Sequence, residues 1–524
     1  AFLPRLTVLQ YFATPENSFA QYAAHIPSWF APTSQQQIIK LYEGAQGGIV
    51  PWSIWLKPLG LWTLFFVALF ITALSMLTLM HRHWAEAERL PFPLVQLPTE
   101  MVQADGGKGA LGRFFTNPIT WVGIGLALIY NAANVGHALN PAVPAIPQSH
   151  SLSGFLTERP WTAMSPLYVA THPQYVGFAY LVSQEVGLSI VAFTFLAKAL
   201  SVGGAMVGYE PAGFPFLPEQ SGGGYVAFGL LMLWMARGHL GDIFASVFSA
   251  TPLEGHSDEP MPYRWAVLGL VGGSVFFVAW CVLAGMGWTI ALAFWLMVFV
   301  FGLTYARVRA EAGIPHEFVY PYRLPHQLIT NAIGSRGVLS AGGPSTMVIF
   351  NVMSFLSRFH HFQMTAAYQT DSLQVAREFK INARKMAGWL LVFFVFGLVL
   401  AFWGHFTTFY QIGVNAIEGQ AMSSWRTQDT VRAYNQMVSL TEHPTGPNWT
   451  ATGWAGIGAL VTVGLQVLRT IFLRFPLHPV GYVAALAYGP GTHLWFPFLL
   501  VWTIKGTVLK LGGIRAYRQL IPAF

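Results

Sequence analysis

The stretch that decides the fold runs from Trp265 to Ala306 and reads WAVLGLVGGSVFFVAWCVLAGMGWTIALAFWLMVFVFGLTYA. These 42 residues contain no Asp, Glu, Lys or Arg, and the next residues are Arg307, Val308 and Arg309. Because the hydrocarbon core of a membrane takes about 20 apolar residues per helix, the stretch predicts two membrane-crossing helices joined by a short turn. The return of charge marks the point where the second helix leaves the lipid.

Composition extends this prediction to the whole chain. Charged residues make up only 9% of the 524 residues, and hydrophobic residues make up 54%. A soluble domain carries about 25% charged residues, so an ordinary water-soluble globule is excluded. The net charge of +7 comes from Lys and Arg that lie mostly at the ends of apolar tracts, which fits membrane orientation better than nucleic-acid binding. We expect the lipid bilayer as a partner and no nucleic acid.

Apolar tracts long enough to cross a membrane recur along the sequence, at 59–80, 118–139, 176–207, 224–247, 265–285, 288–306, 386–409, 452–473 and 492–510. The tract 176–207 is too long for one upright span, so we expect it to be tilted, bent at Gly187 or divided into two helices. Two further tracts, 345–357 and 479–490, are too short to cross and adjoin Gly and Pro, which predicts re-entrant or half-helices. The expected fold is an all-α polytopic transmembrane bundle of about 9 to 12 crossing or half-crossing helices, in a single membrane domain, residues 1–524.

The distribution of Lys and Arg gives an orientation. It places the loop 81–117, the loop 359–385 and the C-terminus in the cytoplasm, and the loop 139–175 outside. If every tract crossed the membrane once, successive loops would alternate between the two sides. This alternation fails around 161–207 and 345–357. Either these regions contain the broken helices found at transporter substrate sites, or the span boundaries are assigned wrongly.

An internal similarity favours duplicated halves. The pairs His172-Pro173 and His478-Pro479 each open an apolar tract, and a lysine follows the histidine by 26 residues in the first tract and by 27 in the second. Repeats of this kind are common in transporter folds.

Polar residues inside the tracts are the candidate functional residues, because an ionisable group inside a membrane marks a substrate or proton pathway by default. Glu185 is the leading candidate, as a proton carrier, with Gln184 beside it and Lys198 near the end of the same tract. Lys198 has an alternative role, in which its ammonium group extends to the membrane surface.

Three further residues, Asn131, Asn134 and His137, are spaced so that they share one face of a helix. Such a face either lines a cavity or forms hydrogen bonds between helices.

Charged and amide groups near the later tracts complete the candidate set. Arg307 and Glu311 are spaced to pair along a helix, which leaves Arg309 to meet an anion or a lipid headgroup, or simply to mark the cytoplasmic side. Asn351 and Arg358 follow a Gly-Gly-Pro sequence. If their segment is re-entrant, its N-terminal amides would face an anionic group of a substrate.

Signatures of enzymes and metal sites are absent from the sequence, so we expect no catalytic activity, no metal and no cofactor. The single Cys281 excludes a disulfide framework and a cysteine metal site. An intramembrane metalloenzyme that uses His81, His83, His360 and His361 is an alternative without a compelling ligand spacing.

Several sequence segments together resemble a family of uncharacterised multi-pass bacterial membrane proteins that is related to the oligopeptide transporter superfamily. They are 51–55 (PWSIW), 84–94 (WAEAERLPFPL), 307–313 (RVRAEAG), 475–481 (FPLHPVG) and 512–518 (GGIRAYR). The resemblance implies a helical fold with duplicated halves, a place in the bacterial inner membrane, and proton-coupled uptake of peptides or metal chelates. It also implies native segments before Ala1 and after Phe524. The short Asn-Pro-Gly signature of the peptide transporters is missing.

Two functions follow from these observations. The first is a secondary transporter of a small polar solute, with Glu185 as its proton carrier. The second is a non-transporting membrane subunit that scaffolds a larger complex or forms a homo-oligomer. A water-accessible cavity that reaches into the membrane would favour the transporter.

Overall fold

Helices form almost all of the regular structure in the computed structural model, which describes residues 2–103, 114–248, 259–313, 323–358, 361–418, 424–472, 474–487 and 489–524. Numbered in chain order, the first ten helices are α1 (Phe2–Tyr11), α2 (Phe19–Ala23), α3 (Gln35–Glu43), α4 (Trp52–Arg82), α5 (Gln96–Gln103), α6 (Pro118–Leu139), α7 (Pro173–Leu181), α8 (Gln184–Val207), α9 (Leu217–Met235) and α10 (Arg237–Phe248). The others are α11 (Tyr263–Leu283), α12 (Trp288–Ala312), α13 (Leu324–Ser340), α14 (Gly343–Met353), α15 (Phe355–Arg358), α16 (His361–Glu378), α17 (Ala383–Ile412), α18 (Val414–Glu418), α19 (Ser424–Glu442), α20 (Trp449–Ile471), α21 (Pro479–Ala485) and α22 (Trp495–Leu520). Strands within these ranges are limited to the antiparallel pair β1 (Ser149–Ser151) and β2 (Tyr168–Ala170).

Eight helical segments of the described chain are long enough and apolar enough to cross a membrane. They are Trp52–Ala87, Pro118–Leu139, Gln184–Val207, Tyr263–Leu283, Trp288–Ala312, Ala383–Ile412, Trp449–Ile471 and Thr492–Ala523. Each matches a tract predicted from the sequence, and the all-α fold class is confirmed.

The predicted span 224–247 is wrong. Its residues divide between α9, which ends at Met235, and α10, which begins at Arg237. The first six residues of α10 include Arg237, His239 and Asp242, and this concentration of polar groups interrupts the apolar tract.

The overlong tract 176–207 consists of two helices. Helix α7 ends at Leu181, and α8 begins two residues after Val182. The hydroxyl of Ser183 accepts a hydrogen bond from the backbone N–H of Val186 at 3.3 Å, which caps the start of α8. The predicted division is therefore present, but the break lies at Val182 and Ser183 rather than at Gly187.

The same helix–break–helix design occurs at the second His-Pro pair. His172 precedes the short helix α7, and His478 precedes the short helix α21, and each short helix is followed by a long one. The short helix of each pair packs against the long helix of the other, α21 on α8 and α7 on α22. Gly481 allows the close approach of α21, since a Cβ there would overlap the side chain of Ser189. The likeness of the two segments has a structural counterpart, while duplication of entire halves stays a prediction.

Helices α13 and α14 form a hairpin that turns at Ala341 and Gly342. Neither helix is among the segments long enough and apolar enough to cross. The 11 residues of α14 extend about 16 Å, against a hydrocarbon core of about 30 Å. Gly334 breaks α13 with φ 71° and ψ 169°, a conformation open to glycine because it lacks a Cβ. The short tract 345–357 thus comprises most of α14, which is one arm of the broken hairpin, and the first three residues of α15.

The chain divides into two compact units, each assembled from three sequence segments. The first unit comprises Ala1–Ala87, Ala236–Leu303 and Arg323–Thr452, and the second comprises Glu88–Met235, Thr304–Tyr322 and Gly453–Phe524. In the first unit α4 packs against α11 and α16, and the hairpin α13–α14 packs against α19. In the second unit α8 packs against α21 and α22.

Candidate functional site

A polar cavity of about 330 Å³ lies in the first unit, between α1, the hairpin α13–α14 and α19. The polar residues of its lining are Arg5, Arg323, His326, Gln327, Thr330, Asn331, Asn351, Ser354, Ser357 and Gln436. Four of them come from α13 at positions 326, 327, 330 and 331, a spacing that places them on one face of the helix. One face of α13, in the hairpin, therefore forms a wall of the cavity.

Arg5 brings a buried positive charge to this cavity. The side chain is only 2% exposed, although the rest of α1 is mostly apolar. Its Nη1 donates to the Ser354 hydroxyl at 2.8 Å and to the Asn351 carbonyl at 3.1 Å. The backbone carbonyl of Arg5 accepts a hydrogen bond from the hydroxyl of Tyr434. These contacts hold the guanidinium against the end of α14.

A neutral imidazole stands beside this charge. The ring of His326 stacks on Phe350, with 3.9 Å between centroids and 19° between planes. Burial, reinforced by the charges of Arg5 and Arg323, lowers the pKa of His326 to about 3. His326 is therefore uncharged at neutral pH. Arg323 forms an ion pair with Asp429.

Buried donors without acceptors are the main chemical feature of the lining. The Nδ2 groups of Asn331 and Asn351 have no hydrogen-bond partner among the described residues. Nε2 of His326, which donates or accepts according to the tautomer of the ring, has none either. The lining contains two arginines and, in the part of the chain that the structure describes, no acidic residue. Because a buried donor without an acceptor costs about 1–3 kcal/mol, the cavity suits a solute, or water, that supplies oxygen acceptors. Positive charge favours an anionic group among them.

Of the predicted site residues, Asn351 lies in this cavity. Arg358 ends α15, but its side chain lies outside the described part of the structure, as does His360. The other predicted residues do not contribute to the described lining of the cavity, and most of them belong to the second unit.

The hydrogen bonds described for the polar face of α6 stay within α6 and the loop that follows it. Asn131 donates to the carbonyl of Ala127 within α6 at 2.8 Å. The amide oxygen of Asn134 accepts from the N–H of residue 146 at 3.0 Å, and Nδ1 of His137 lies 2.7 Å from the carbonyl oxygen of residue 143. The three side chains thus bond to α6 itself and to the loop that follows it, while the lining of a cavity by this face stays a prediction.

The side chains of Glu185, Gln184 and Lys198 each have a different partner. Glu185 lies in the first turn of α8 with its side chain 52% exposed, and it forms an ion pair with Arg469 at 2.7 Å. The Gln184 amide donates to the carbonyl of Trp502 at 3.4 Å, and the buried Lys198 ammonium donates to a loop carbonyl, that of residue 166, at 2.9 Å. A role of Glu185 as proton carrier stays a prediction.

A second polar cluster occupies the second unit. Nη2 of Arg307 lies 2.7 Å from the carboxylate of Glu88 and 3.2 Å from that of Glu311, which confirms the predicted pairing of Arg307 with Glu311. The other oxygen of Glu311 lies 2.9 Å from Nε2 of His478. Arg309 is buried on the same helix, at 6% exposure. The carboxylates of Glu88 and Glu311 thus share the positive charge of Arg307.

The cluster unites three of the sequence segments that carried the resemblance. Glu88 belongs to 84–94, Arg307 and Glu311 to 307–313, and His478 to 475–481. The backbone adds a hydrogen bond from the N–H of Phe92 to the carbonyl of residue 310, at 2.9 Å. Sequence reasoning identified the segments but did not predict that they meet.

Comparison with known proteins adds the family. A search of the curated proteins gave no match. One family of proteins matches residues 1–524, the full extent of the sequence, and it is described as a family of unknown function (DUF6785). The chain, a helical protein with eight potential membrane spans among its described residues, therefore belongs to the family DUF6785.

Proposed function

We propose that this protein is a membrane transporter for a small solute that bears a carboxylate or a similar anionic oxygen group. The observation that carries the proposal is the set of buried, unpartnered donors on Asn331 and Asn351, in a cavity that also holds the Arg5 charge. Anionic oxygens are acceptors, and their charge is complementary to a guanidinium. Both requirements of the cavity are met by the same ligand group.

The dimensions of the cavity support a small solute. Its volume of about 330 Å³ is at the lower end of the range of about 300–1,000 Å³ that is usual for small-molecule sites. Amides and hydroxyls line part of the remainder, and Met347, Ala433, Met437 and Leu440 line the rest, so a ligand that carries both hydrogen-bonding groups and a short apolar portion fits the cavity.

The surrounding helices also support transport. Secondary transporters place substrates at discontinuous helices, where free backbone groups and polar side chains are tolerated because they line a cavity. Helix α13 is interrupted at Gly334, between the lining residue Asn331 and the tip of the hairpin. A scaffold subunit has no comparable need for a polar cavity beside a broken helix.

The proposal retains three expectations from the sequence. They are a relationship to the oligopeptide transporter superfamily, a place in a bacterial inner membrane, and coupling of uptake to protons. A non-transporting subunit is the competing function, and it predicts no ligand-dependent effect at this cavity.

Thermal unfolding of the purified full chain, followed by the fluorescence of its 19 tryptophans, tests the ligand class. The probes are succinate, inorganic phosphate and the dipeptide Ala-Ala, with the neutral succinamide as a matched control. We expect an anionic probe to raise the unfolding temperature because a ligand stabilises the state that binds it, and succinamide to have no effect. The same anionic probe should enter proteoliposomes.

Asn351→Asp is the decisive variant. It replaces a donor with a negative charge inside the cavity, and we expect binding of the anionic probe to weaken at least about tenfold, or ~1.4 kcal/mol. Asn448→Asp is the matched control, because Asn448 is exposed and caps α20 through its side-chain oxygen, a role that Asp also fills. Equal binding by both variants, or no response to any anionic probe, would contradict the proposal.

A further inference from the structure

A second polar cavity, of about 480 Å³, lies in the first unit at the charged end of α4, and we call it the basic cavity. It is bordered by the end of α4, the segment before α11, the end of α16 and the start of α17. It shares no lining residue with the cavity that holds Arg5, the Arg5 cavity. Its volume lies within the range of about 300–1,000 Å³ that is usual for small-molecule sites.

Positive charge predominates in the described lining of the basic cavity. Three cationic side chains border it, Arg82 from α4, Arg377 from α16 and Lys380 from the loop after α16, together with the acidic side chains of Glu86 and Glu259. Nε of Arg82 donates to one oxygen of Glu86 at 2.9 Å, and Nη2 of Arg377 donates to the other at 2.8 Å. One carboxylate is thus shared by two guanidinium groups.

The second acidic residue, Glu259, does not cancel this surplus. Its side chain is 5% exposed and accepts a hydrogen bond from the Tyr263 hydroxyl at 3.2 Å. Burial raises the pKa of Glu259 to about 7, although the hydrogen bond from Tyr263 and the charges of two nearby arginines oppose the rise. The carboxyl group is therefore only partly ionised at neutral pH. Three cations face two carboxyl groups, so the described lining stays positive in either state of Glu259.

Hydrogen-bond donors are available on the same lining. In the part of the chain that the structure describes, the ammonium of Lys380 has no hydrogen bond or ion pair, and Arg377 is bonded through Nη2 alone. The side-chain oxygen of Asn382 accepts the N–H groups of residues 384 and 385, at 3.0 Å and 3.1 Å, which leaves its amide nitrogen as a donor. All three side chains are exposed, so a ligand reaches them from solvent.

The basic cavity lies at one end of a membrane-crossing helix. Arg82 is the last residue of α4, and α16 packs alongside α4, where the Gln369 amide donates to the carbonyl of Phe70 at 3.1 Å. Arg377 and Lys380 follow at the same end. The distribution of Lys and Arg predicts that this end faces the cytoplasm. Dissolved phosphate compounds and anionic lipid headgroups both meet a membrane protein there.

We propose that the basic cavity binds the phosphate group of a ligand. A phosphate monoester carries about 1.5 to 2 negative charges at neutral pH and three acceptor oxygens, and guanidinium and ammonium groups are its usual partners in proteins. A carboxylate offers one charge and two oxygens and would use less of what this lining provides. The phosphate comes from a dissolved compound or from the headgroup of an anionic lipid. The proposal does not depend on the transport function of the Arg5 cavity.

Thermal unfolding of the purified full chain, at constant ionic strength, tests binding of inorganic phosphate and glycerol 3-phosphate. The comparison is made in the Asn351→Asp background, which disables the proposed anion site of the Arg5 cavity. We expect both probes to raise the unfolding temperature and Lys380→Gln to weaken their apparent affinity at least about threefold. Lys380→Arg, which keeps the charge, should bind them as the parent does.

Lys385→Gln is the matched control. It removes the same charge five residues further along the same basic segment, and Lys385 is exposed and does not border the described lining. We expect its affinity for the probes to be unchanged. A response that fell equally in the two lysine variants would reflect the charge of the surface as a whole.

Native mass spectrometry tests the headgroup source. The protein is released from nanodiscs that contain phosphatidylglycerol and phosphatidylcholine, and the lipids that stay bound are counted. If the source is a lipid, phosphatidylglycerol stays bound to the wild type and to Lys385→Gln but is lost from Lys380→Gln. If the source is a dissolved compound, only the thermal response depends on Lys380. Equal behaviour of the two lysine variants in both measurements would overturn the proposal.

The two cavities are separated by the same variants. If Asn351→Asp abolishes the response to anionic probes and Lys380→Gln changes neither measurement, the phosphate site fails while the proposed transport function stands. If Lys380→Gln alone weakens binding, the phosphate site stands whatever the outcome for the Arg5 cavity.

Discussion

The cavity of the first unit and the ion cluster of the second unit place buried polar groups in opposite situations. In the cavity, Arg5 lines the wall together with Asn331 and Asn351, whose Nδ2 groups have no hydrogen-bond partner in the described structure. In the cluster, Arg307 lies between Glu88 and Glu311, and nearly every charge has a counter-charge. Buried charge is costly unless it is paired, and the two regions offset this cost in different ways. We propose that a ligand with oxygen acceptors completes the cavity, whereas the charges of the cluster are met from within the protein.

Removing the shared cation from the ion cluster should have the largest effect on stability. Arg307→Met leaves the carboxylates of Glu88 and Glu311 buried without their guanidinium. Breaking a buried ion pair by removing one partner costs about 3–5 kcal/mol, and we expect a loss of this size in the free energy of unfolding, measured in detergent with denaturant. The additional change Glu88→Gln should recover part of the loss. A loss below about 1 kcal/mol would mean that the cluster is not closed as described.

Glu259 is a buried carboxyl group without a dedicated cation. The pH dependence of protein stability that it causes tests the comparison further. Glu259 in the first unit is 5% exposed and accepts a hydrogen bond from Tyr263 at 3.2 Å. Burial raises the pKa of Glu259 from 4.5 to about 7, against the opposing effects of Tyr263, Arg82 and Arg377. The folded protein therefore holds a proton that the unfolded chain releases, and its stability falls as the pH rises from 4.5 to about 7.

Unfolding at several pH values measures this contribution. We expect the wild type to lose about 1–3 kcal/mol of stability across that window relative to Glu259→Gln, because a shift of one pKa unit corresponds to about 1.4 kcal/mol. The amide of Gln cannot titrate, so the variant should show the smaller slope. Identical pH profiles for the two proteins would show that Glu259 is ionised in the folded state.

Replacing a cavity donor should have the smallest effect on stability. Nδ2 of Asn351 has no partner in the described structure, and its Oδ1 accepts one long hydrogen bond, at 3.5 Å, from Nη1 of Arg5. Asn351→Leu removes that long bond, while the same nitrogen keeps its shorter bonds to the Ser354 hydroxyl and the carbonyl of residue 351. We expect the free energy of unfolding to change by less than about 1 kcal/mol, while binding of the anionic probe is lost. A large loss of stability together with unchanged binding of the anionic probe would contradict the contrast drawn between the cavity and the cluster.

The sequence predicted the long helices well because the signal for a membrane span is local. The tract from Trp265 to Ala306 became α11 and α12, with the turn between Leu283 and Trp288. The exception, 224–247, failed because hydropathy summed over a window does not register where polar residues such as Arg237 and Asp242 concentrate.

The candidate site was harder to predict because it depends on contacts distant in sequence. Glu185 was judged by its depth in an apolar tract, but Ser183 starts a helix there, and its partner Arg469 lies far along the chain. Arg5 and His326 lie outside the long apolar tracts and were missed. The one available signal was a lone arginine in the apolar segment FLPRLTVL. Asn351 was found because the Gly-Gly-Pro sequence marked its short helix.

The break in α13 has a mechanical consequence for the cavity wall. Thr445 bonds to both residues after Gly334: its N–H donates to the Ser335 hydroxyl at 2.9 Å, and its carbonyl accepts from the N–H of Arg336 at 3.0 Å. The N–H of Asn448 donates to the carbonyl of Asn331 at 2.8 Å. Separating the two segments would cost about 1 kcal/mol for each of these hydrogen bonds. The hairpin therefore cannot move independently of segment 445–448, which leads into α20. Any movement of the wall that bears Asn331 also moves this segment.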